Sequence, residues 1–334
     1  MDIHFPYLRL KRPVLLAPMA GITDRPFRRL ARACGSKLVI SEMVASAELA
    51  RKAAKALTRM NFEGSEGPTI VQLAGRQAED MAEAARLVEA QGAVGIDINM
   101  GCPVKKVVGG YGGAALMQDI DHATALIEAT VDAVCIPVSV KMRTGWDASC
   151  RNAALLAKRA EEAGAHFVTV HGRTRADLYN GKADWAFVAE VKQAVSIPVI
   201  VNGDIATAAD AKAALEHSKA DGVMIGRAAR HAPWLASTIA RQLDGEENVK
   251  APCLSEQHAL LKSHYDDMLS YYGLVQGLRI ARKHLKWRLT PLPGGDVLSQ
   301  RLCALENPQT VLKEIDYFFA GLDGNAGPSL SEAA

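Results

Sequence analysis

The chain carries eight short apolar runs, beginning near Val14, Lys37, Thr69, Gly95, Val138, Phe167, Pro198 and Gly222, and each stops at a polar or glycine-rich cluster. They are rich in Val, Ile and Leu and lack the polar alternation of a half-exposed strand. Strands buried on both faces read this way, as in parallel sheets. Most gaps between runs hold a helix-patterned stretch, such as Ala78 to Gln91 or Asn152 to Gly164. Strand–helix units in such a series predict an α/β chain folded as a (β/α)8 TIM barrel, whose chemistry sits at the carboxyl ends of its strands. Those ends read Pro18-Met19, Glu42, Gln72, Asn99 to Cys102, Lys141 to Arg143, His171 to Arg173, Asn202 to Asp204, and Gly226-Arg227.

Such a barrel needs about 250 residues, and the chain has 334. The barrel is expected over 1–245. Gly245 to Pro252 is polar, aperiodic and proline-terminated, which suits a linker. From there the pattern turns helical with no strand-like run, so a small helical bundle is expected over 252–323, broken near Pro291 to Gly295. The small, polar segment 324–334 is expected to be disordered.

A net charge of +2 gives no overall pull toward nucleic acid or membrane, so a polyanion site must come from local clustering. Six cysteines without CxxC pairing suggest neither a metal site nor a disulfide framework. With no apolar leader and no membrane-length run, a cytoplasmic protein is expected, acting as a monomer.

In barrels of this kind an anion lies at the loops after strands seven and eight. Here those are Asn202-Gly203-Asp204 and Gly226-Arg227. Glycine lets backbone N–H groups approach a phosphate, and Arg227 can add a bidentate charge; two ordinary strand-to-helix turns are the alternative. Lys141, Arg143, His171 and Arg173 end adjacent strands, so they would converge on one cavity and stabilise an electron-rich ligand. Arg143 and Arg173 are read as substrate contacts, although a solvated rim is an equal reading for Arg173. Gln72 and the Pro18-Met19 turn offer groups that can read a planar heterocycle edge.

Cys102 is the sharpest position. It follows a buried strand, lies between Gly101 and Pro103, and precedes a basic then glycine-rich stretch, residues 104–113, that reads as a mobile lid. A thiol beside Lys105 and Lys106 can act as an acid of tunable pKa, while an inert buried thiol is the alternative. In the helical region Arg279, Arg282, Lys283 and Lys286 share one helix face, and no acid occurs between Gly273 and Thr290. Beside His284 and Trp287, that stripe suits a phosphate backbone, or else a plain solvated face.

Together, APMAGITDRPFR (17–28), SEM (41–43), VQLAG (71–75), DINMGCPVKKV (97–107), VKMRTGW (140–146), VHGRTR (170–175), NGDI (202–205) and IGRAA (225–229) resemble the tRNA-dihydrouridine synthases, in order and at every strand end. RIARKHLKW (279–287) resembles the helical domain of the bacterial B class. The resemblance implies an FMN-bound barrel, a helical tRNA-docking domain, and reduction of one uridine, in the D-loop, using NADPH. It implies that Cys102 is the proton donor and that Asn99 holds the uracil. It further implies that Pro18, Met19, Ala20, Gln72, Lys141, His171, Asn202, Gly203, Asp204, Gly226 and Arg227 contact the flavin. No metal is implied. A flavin barrel acting on a small molecule, such as a dihydroorotate-type dehydrogenase, and an RNA-binding protein without catalysis remain the alternatives. The first leaves the basic stripe unexplained and the second leaves Cys102 and Lys141 unexplained.

Overall fold

The computed structural model describes residues 1–5, 8–53, 56 and 67–322. The expected disordered segment 324–334 lies outside the described residues. The chain divides into two compact units, one of Met1–Gly226 with Leu235–Glu247, the other of Arg227–Trp234 with the chain from Asn248 on.

The first unit is built on a parallel sheet. Its strands are β3 (Val14–Leu16), β4 (Val39–Ile40), β5 (Val44–Ala45), β6 (Thr69–Ala74), β7 (Gly95–Met100), β8 (Val138–Arg143), β9 (Phe167–His171), β10 (Val199–Asn202) and β11 (Gly222–Ile225). The order runs β3-β11-β10-β9-β8-β7-β6-β4, with β5 also on β6. Counting β4 and β5 as one interrupted position gives a nearly closed barrel of eight parallel strands alternating with helices, the expected (β/α)8 fold.

Residues two apart on a strand share a face, and the register decides which neighbours meet. Leu15, Ile40, Ile70, Phe167, Ile200 and Met224 form one apolar cluster. Further along the same faces come Gln72, Asp97 and Ser139, paired in register, then Asn99 beside Lys141 and His171 beside Asn202. One interior thus changes from apolar to polar toward the carboxyl ends.

An antiparallel hairpin that the sequence reading does not anticipate precedes the barrel: β1 (Ile3–Phe5) paired with β2 (Leu8–Leu10). Ile3 and Phe5 belong to the apolar cluster, and the Phe5 ring meets Phe167 edge-on at 6.2 Å. The hairpin therefore covers the amino-terminal mouth of the barrel.

Among the described residues, the second unit holds four α-helices, Leu254–Tyr272, Leu274–Leu289, Gly295–Ala304 and Pro308–Leu322, around a core that includes Leu261, Tyr265, Leu285, Leu302 and Ile315. Its outline departs from a boundary at 245. Arg227–Trp234 belongs with it because His231 Nδ1 lies 2.7 Å from the Trp287 carbonyl and two cation–π contacts pair Arg230 with Trp287 and Arg288 with Trp234.

Candidate active site

The carboxyl-end interior is held by a chain of side-chain hydrogen bonds. Asp97, wholly buried, accepts from Ser139 Oγ at 2.7 Å and from Gln72 Nε2 at 2.7 Å. Gln72 Oε1 accepts from Asn99 Nδ2 at 2.8 Å. Asn99 Oδ1 in turn accepts from the backbone N–H groups of Cys102 (2.9 Å) and Gly101 (3.3 Å). Burial pushes the Asp97 carboxyl up to about 6, against the pull of those hydrogen bonds and of the Lys141 charge.

Cys102 is fixed from both sides. Its carbonyl accepts from Ala114 N at 3.0 Å, where a short 3-10 turn, Gly113–Gln118, begins. Gly113 has φ +58, and a Cβ there would come 2.8 Å from the Cys102 carbonyl oxygen, so only glycine suits the position. Burial pushes the thiol pKa up, while the Val104 backbone and the charges of Arg143 and Lys141 pull it down. This corrects the expectation that Lys105 and Lys106 tune the thiol: both are exposed on the one-turn helix Lys105–Val108, and the cations that act on Cys102 come from β8. A thiol kept protonated is suited to giving up a proton.

Lys141 Nζ donates to Asn202 Oδ1 at 3.2 Å, and Asn202 Nδ2 donates to the Met224 carbonyl at 2.8 Å. Loss of water pushes the lysine down to about 8, although Asp97 opposes the shift. Gly203 has φ +119, and a Cβ there would lie 2.7 Å from Ala183 Cβ and 2.9 Å from His171 Cδ2. Its carbonyl accepts from Trp185 Nε1 at 2.9 Å. At the end of β3, Met19 O accepts from Ile22 N at 2.9 Å and Met19 N donates to Thr23 Oγ1 at 2.8 Å, which folds the Pro18-Met19-Ala20 turn.

Two arginines expected to meet substrate are bonded to the protein itself. Arg143, 2% exposed, donates through Nε to the Gly101 carbonyl and through Nη1 to the carbonyls of Thr174 and Leu178, each at 2.8 Å. Arg173, 3% exposed, donates to the carbonyls of Asn180 (2.9 Å) and Gly181 (2.6 Å) and pairs with Asp204 at 2.7 Å. Asp204, expected beside the cofactor, also accepts from Ala183 N at 2.7 Å. Buried guanidinium groups need such acceptors, and at strand ends the nearest are loop carbonyls. These residues position the loop after β9 and the Cys102 segment.

Sequence reasoning passed over Asp97 and Ser139. Their signal is a polar residue inside an otherwise apolar run, in Ile96-Asp97-Ile98 and Val138-Ser139-Val140.

In the helical unit, Arg279 and Lys286 are exposed, whereas Arg282 and Lys283 are half-buried and Arg282 Nη2 donates to the Leu305 carbonyl at 3.3 Å. The expected stripe is therefore uneven. His284 is buried between Trp287 and His264 and stays neutral, burial pushing it down to about 3. Among the described residues no cluster of His, Cys, Asp or Glu could hold a metal ion, and no helix is long and apolar enough to cross a membrane.

The solved structure of 6-hydroxypseudooxynicotine amine oxidase from Pseudomonas geniculata N1 superposes with a TM-score of 0.57 at 12% identity, covering 78% of this chain and 52% of that one. A 2-naphthoyl-CoA reductase gives 0.55 at 13%, covering 73% and 52%. At that identity the likeness is one of fold. Among sequence relatives, a probable tRNA-dihydrouridine synthase of Rhodobacter capsulatus is 54% identical, over 86% of this chain and 89% of its own length. One from Rickettsia conorii is 45% identical over 94% and 96%, and tRNA-dihydrouridine synthase B of Pseudomonas putida is 44% identical over 93% and 92%. The family profile described as Dihydrouridine synthase (Dus) matches residues 15–320, and with these relatives it shows that the chain belongs to the dihydrouridine synthase family.

Proposed function

We propose that the protein reduces a uridine in the D-loop of tRNA to 5,6-dihydrouridine, with Cys102 giving the proton to C5. The observation that carries this reading is the seat of Cys102: a protonated thiol in a loop pinned by Asn99, at the polar end of the barrel and within the field of Lys141. Relatives named as tRNA-dihydrouridine synthases at 44–54% identity support the substrate class.

The strand ends fit FMN. Gly226 leaves room for a phosphate, since a Cβ there meets nothing nearer than Asn202 Nδ2 at 4.0 Å. Lys141 Nζ hydrogen-bonds a neutral amide rather than a carboxylate, so its charge remains available to an electron-rich ring. Gly203, Gly226 and Arg227, the next residue in the chain, would hold the phosphate, with Pro18, Met19, Ala20, Gln72, His171 and Asn202 around the ring system. A flavin held there would be reducible by NADPH and would supply the hydride needed at C6 of the uracil.

The chain's own residues do the rest. Asn99 holds the ring and the Cys102 loop at once. Cys102 Sγ–H gives its proton to C5 as the C5–C6 double bond becomes single, and the thiolate that forms is stabilised by Lys141 and Arg143. The target base must leave its stack to reach a barrel mouth. Arg279 and Lys286, with Lys283 and Arg282 at the edge, face the RNA backbone.

Cys102→Ala tests this. Flavin should stay bound and reducible by NADPH, while reoxidation by tRNA in stopped flow should slow ~10²–10⁴-fold, the worth of a positioned general acid. Reoxidation at the parent rate would remove Cys102 from the proton transfer.

A further inference from the structure

We propose that Asp97 is a positioning residue that fixes the sense of two amides, Gln72 and Asn99, so that Asn99 turns an N–H and never an oxygen toward the ring it holds. The inference rests on the uridine-reduction reading and goes beyond it, because it assigns the chemistry that selects the ring: a carbonyl acceptor.

The argument is one of donors and acceptors. Amide oxygen and nitrogen have nearly the same shape, so only partners decide which way Asn or Gln sits. Asp97 as a carboxylate can only accept, and its two oxygens take Ser139 Oγ–H and Gln72 Nε2–H. Gln72 must then point its nitrogen at Asp97 and its oxygen at Asn99, whose amide nitrogen donates to it at 2.8 Å. Asn99 is thereby held from its nitrogen, in the same sense that the partners of its oxygen require. Its oxygen is filled by two backbone N–H groups, from Cys102 and Gly101. One hydrogen of its nitrogen is spent on Gln72, and the other faces only Met43 Sδ at 4.0 Å, a weak acceptor. Asn99 is 9% exposed, so this hydrogen is largely shielded from bulk water.

What remains to a ligand is a single donor. Uracil presents carbonyl oxygens at C2 and C4, whereas cytosine carries an amino donor at C4, which would meet Asn99 donor to donor. Leaving a buried donor unmatched is what lets a polar site reject a close analogue. The carboxylate serves better than an amide at position 97 because it offers an acceptor on both sides and cannot sit the wrong way round.

The test compares Asp97→Leu, which is of similar size and accepts nothing, with Asp97→Asn. The asparagine can still present its oxygen to Gln72 while its nitrogen donates to Ser139 Oγ, which in turn donates to the Ile96 carbonyl at 3.3 Å. The full chain, loaded with flavin and reduced by NADPH, is given tRNA in single turnover. Uridine reduction should fall about 100-fold in Asp97→Leu, the cost of misplacing a reacting group by roughly an ångström, and stay within about threefold of the parent in Asp97→Asn. A second readout needs no substrate: alkylation of Cys102 by iodoacetamide, followed by peptide mass spectrometry, should change severalfold in Asp97→Leu and little in Asp97→Asn. If Asp97→Leu does not fold, Gln72→Met cuts the same chain one link later and should change the alkylation rate in the same way. Equal loss in the Leu and Asn variants, or an unchanged alkylation rate when the chain is cut, overturns the proposal. Failure of the parent protein to reduce any tRNA uridine strikes the uridine-reduction reading instead and leaves the alkylation result standing, so the two failures are distinct.

Discussion

Asp97→Asn should stabilise the barrel at neutral pH and do nothing for it in acid. The carboxyl is wholly buried and titrates near 6 in the folded protein, against 3.8 for an unperturbed side chain. About two pH units, at 1.36 kcal/mol each, set roughly 3 kcal/mol against the ionised form. The folded chain holds the Asp97 proton more tightly than the unfolded chain. Stability from this group is therefore complete below about pH 4 and is lost as pH rises through about 6. Asparagine resembles the neutral acid, keeps an acceptor for Gln72, and does not titrate. Urea unfolding followed by circular dichroism at pH 4, 5, 6 and 7.5 should show no gain at pH 4 and a gain of up to ~3 kcal/mol at pH 7.5. A difference that does not vary with pH would show that the hydrogen bonds at Asp97 balance its desolvation, and a variant weaker than the parent at pH 7.5 alone would show that they outweigh it.

Arg227→Ala should weaken flavin retention, since a charge-assisted contact is worth ~1.5–3 kcal/mol; flavin released by denaturation, counted per chain after dialysis, measures it. Charge reversal of the exposed pair Arg279 and Lys286 to Glu should cut tRNA affinity and flatten its salt dependence by roughly one counterion per lost phosphate contact, and unaltered binding would make the stripe a plain solvated face. Lys141 titrates near 8, its charge disfavoured by lost hydration, so it is protonated below that pH and neutral above. Flavin reduction by NADPH should accordingly slow as pH rises through about 8, and Lys141→Met should abolish that limb of the profile.

The barrel is legible in the sequence because strands buried on both faces leave unbroken apolar runs, and each run sits where a strand forms. Cys102, Lys141 and Asn202 are legible because they lie where runs stop. The hairpin at Ile3–Phe5 and Leu8–Leu10 is harder to see: its alternation of apolar and polar residues is clear, but two segments of three residues are too short to separate from a leader strand. The roles of Arg143 and Arg173 are not legible at all. A cation at a strand end looks the same whether it faces a ligand or carbonyls from a loop more than thirty residues away, as Arg143 does with Leu178. Likewise the half-burial of Arg282 depends on the Leu305 carbonyl, which helical spacing alone does not bring near.

The hairpin also sets a problem of timing for synthesis. Ile3 and Phe5 leave the ribosome well before the residues they pack against, which include Phe167, Ile200 and Met224, and β3 finds its neighbour only at Val223–Ile225. At about 5–20 residues per second, the nascent chain carries two large apolar side chains uncovered for ten seconds or more. Its barrel cannot close until the last strand has been made. Contacts of such long sequence separation slow folding, so closure of the barrel and burial of Ile3 and Phe5 come together, late in the making of the unit.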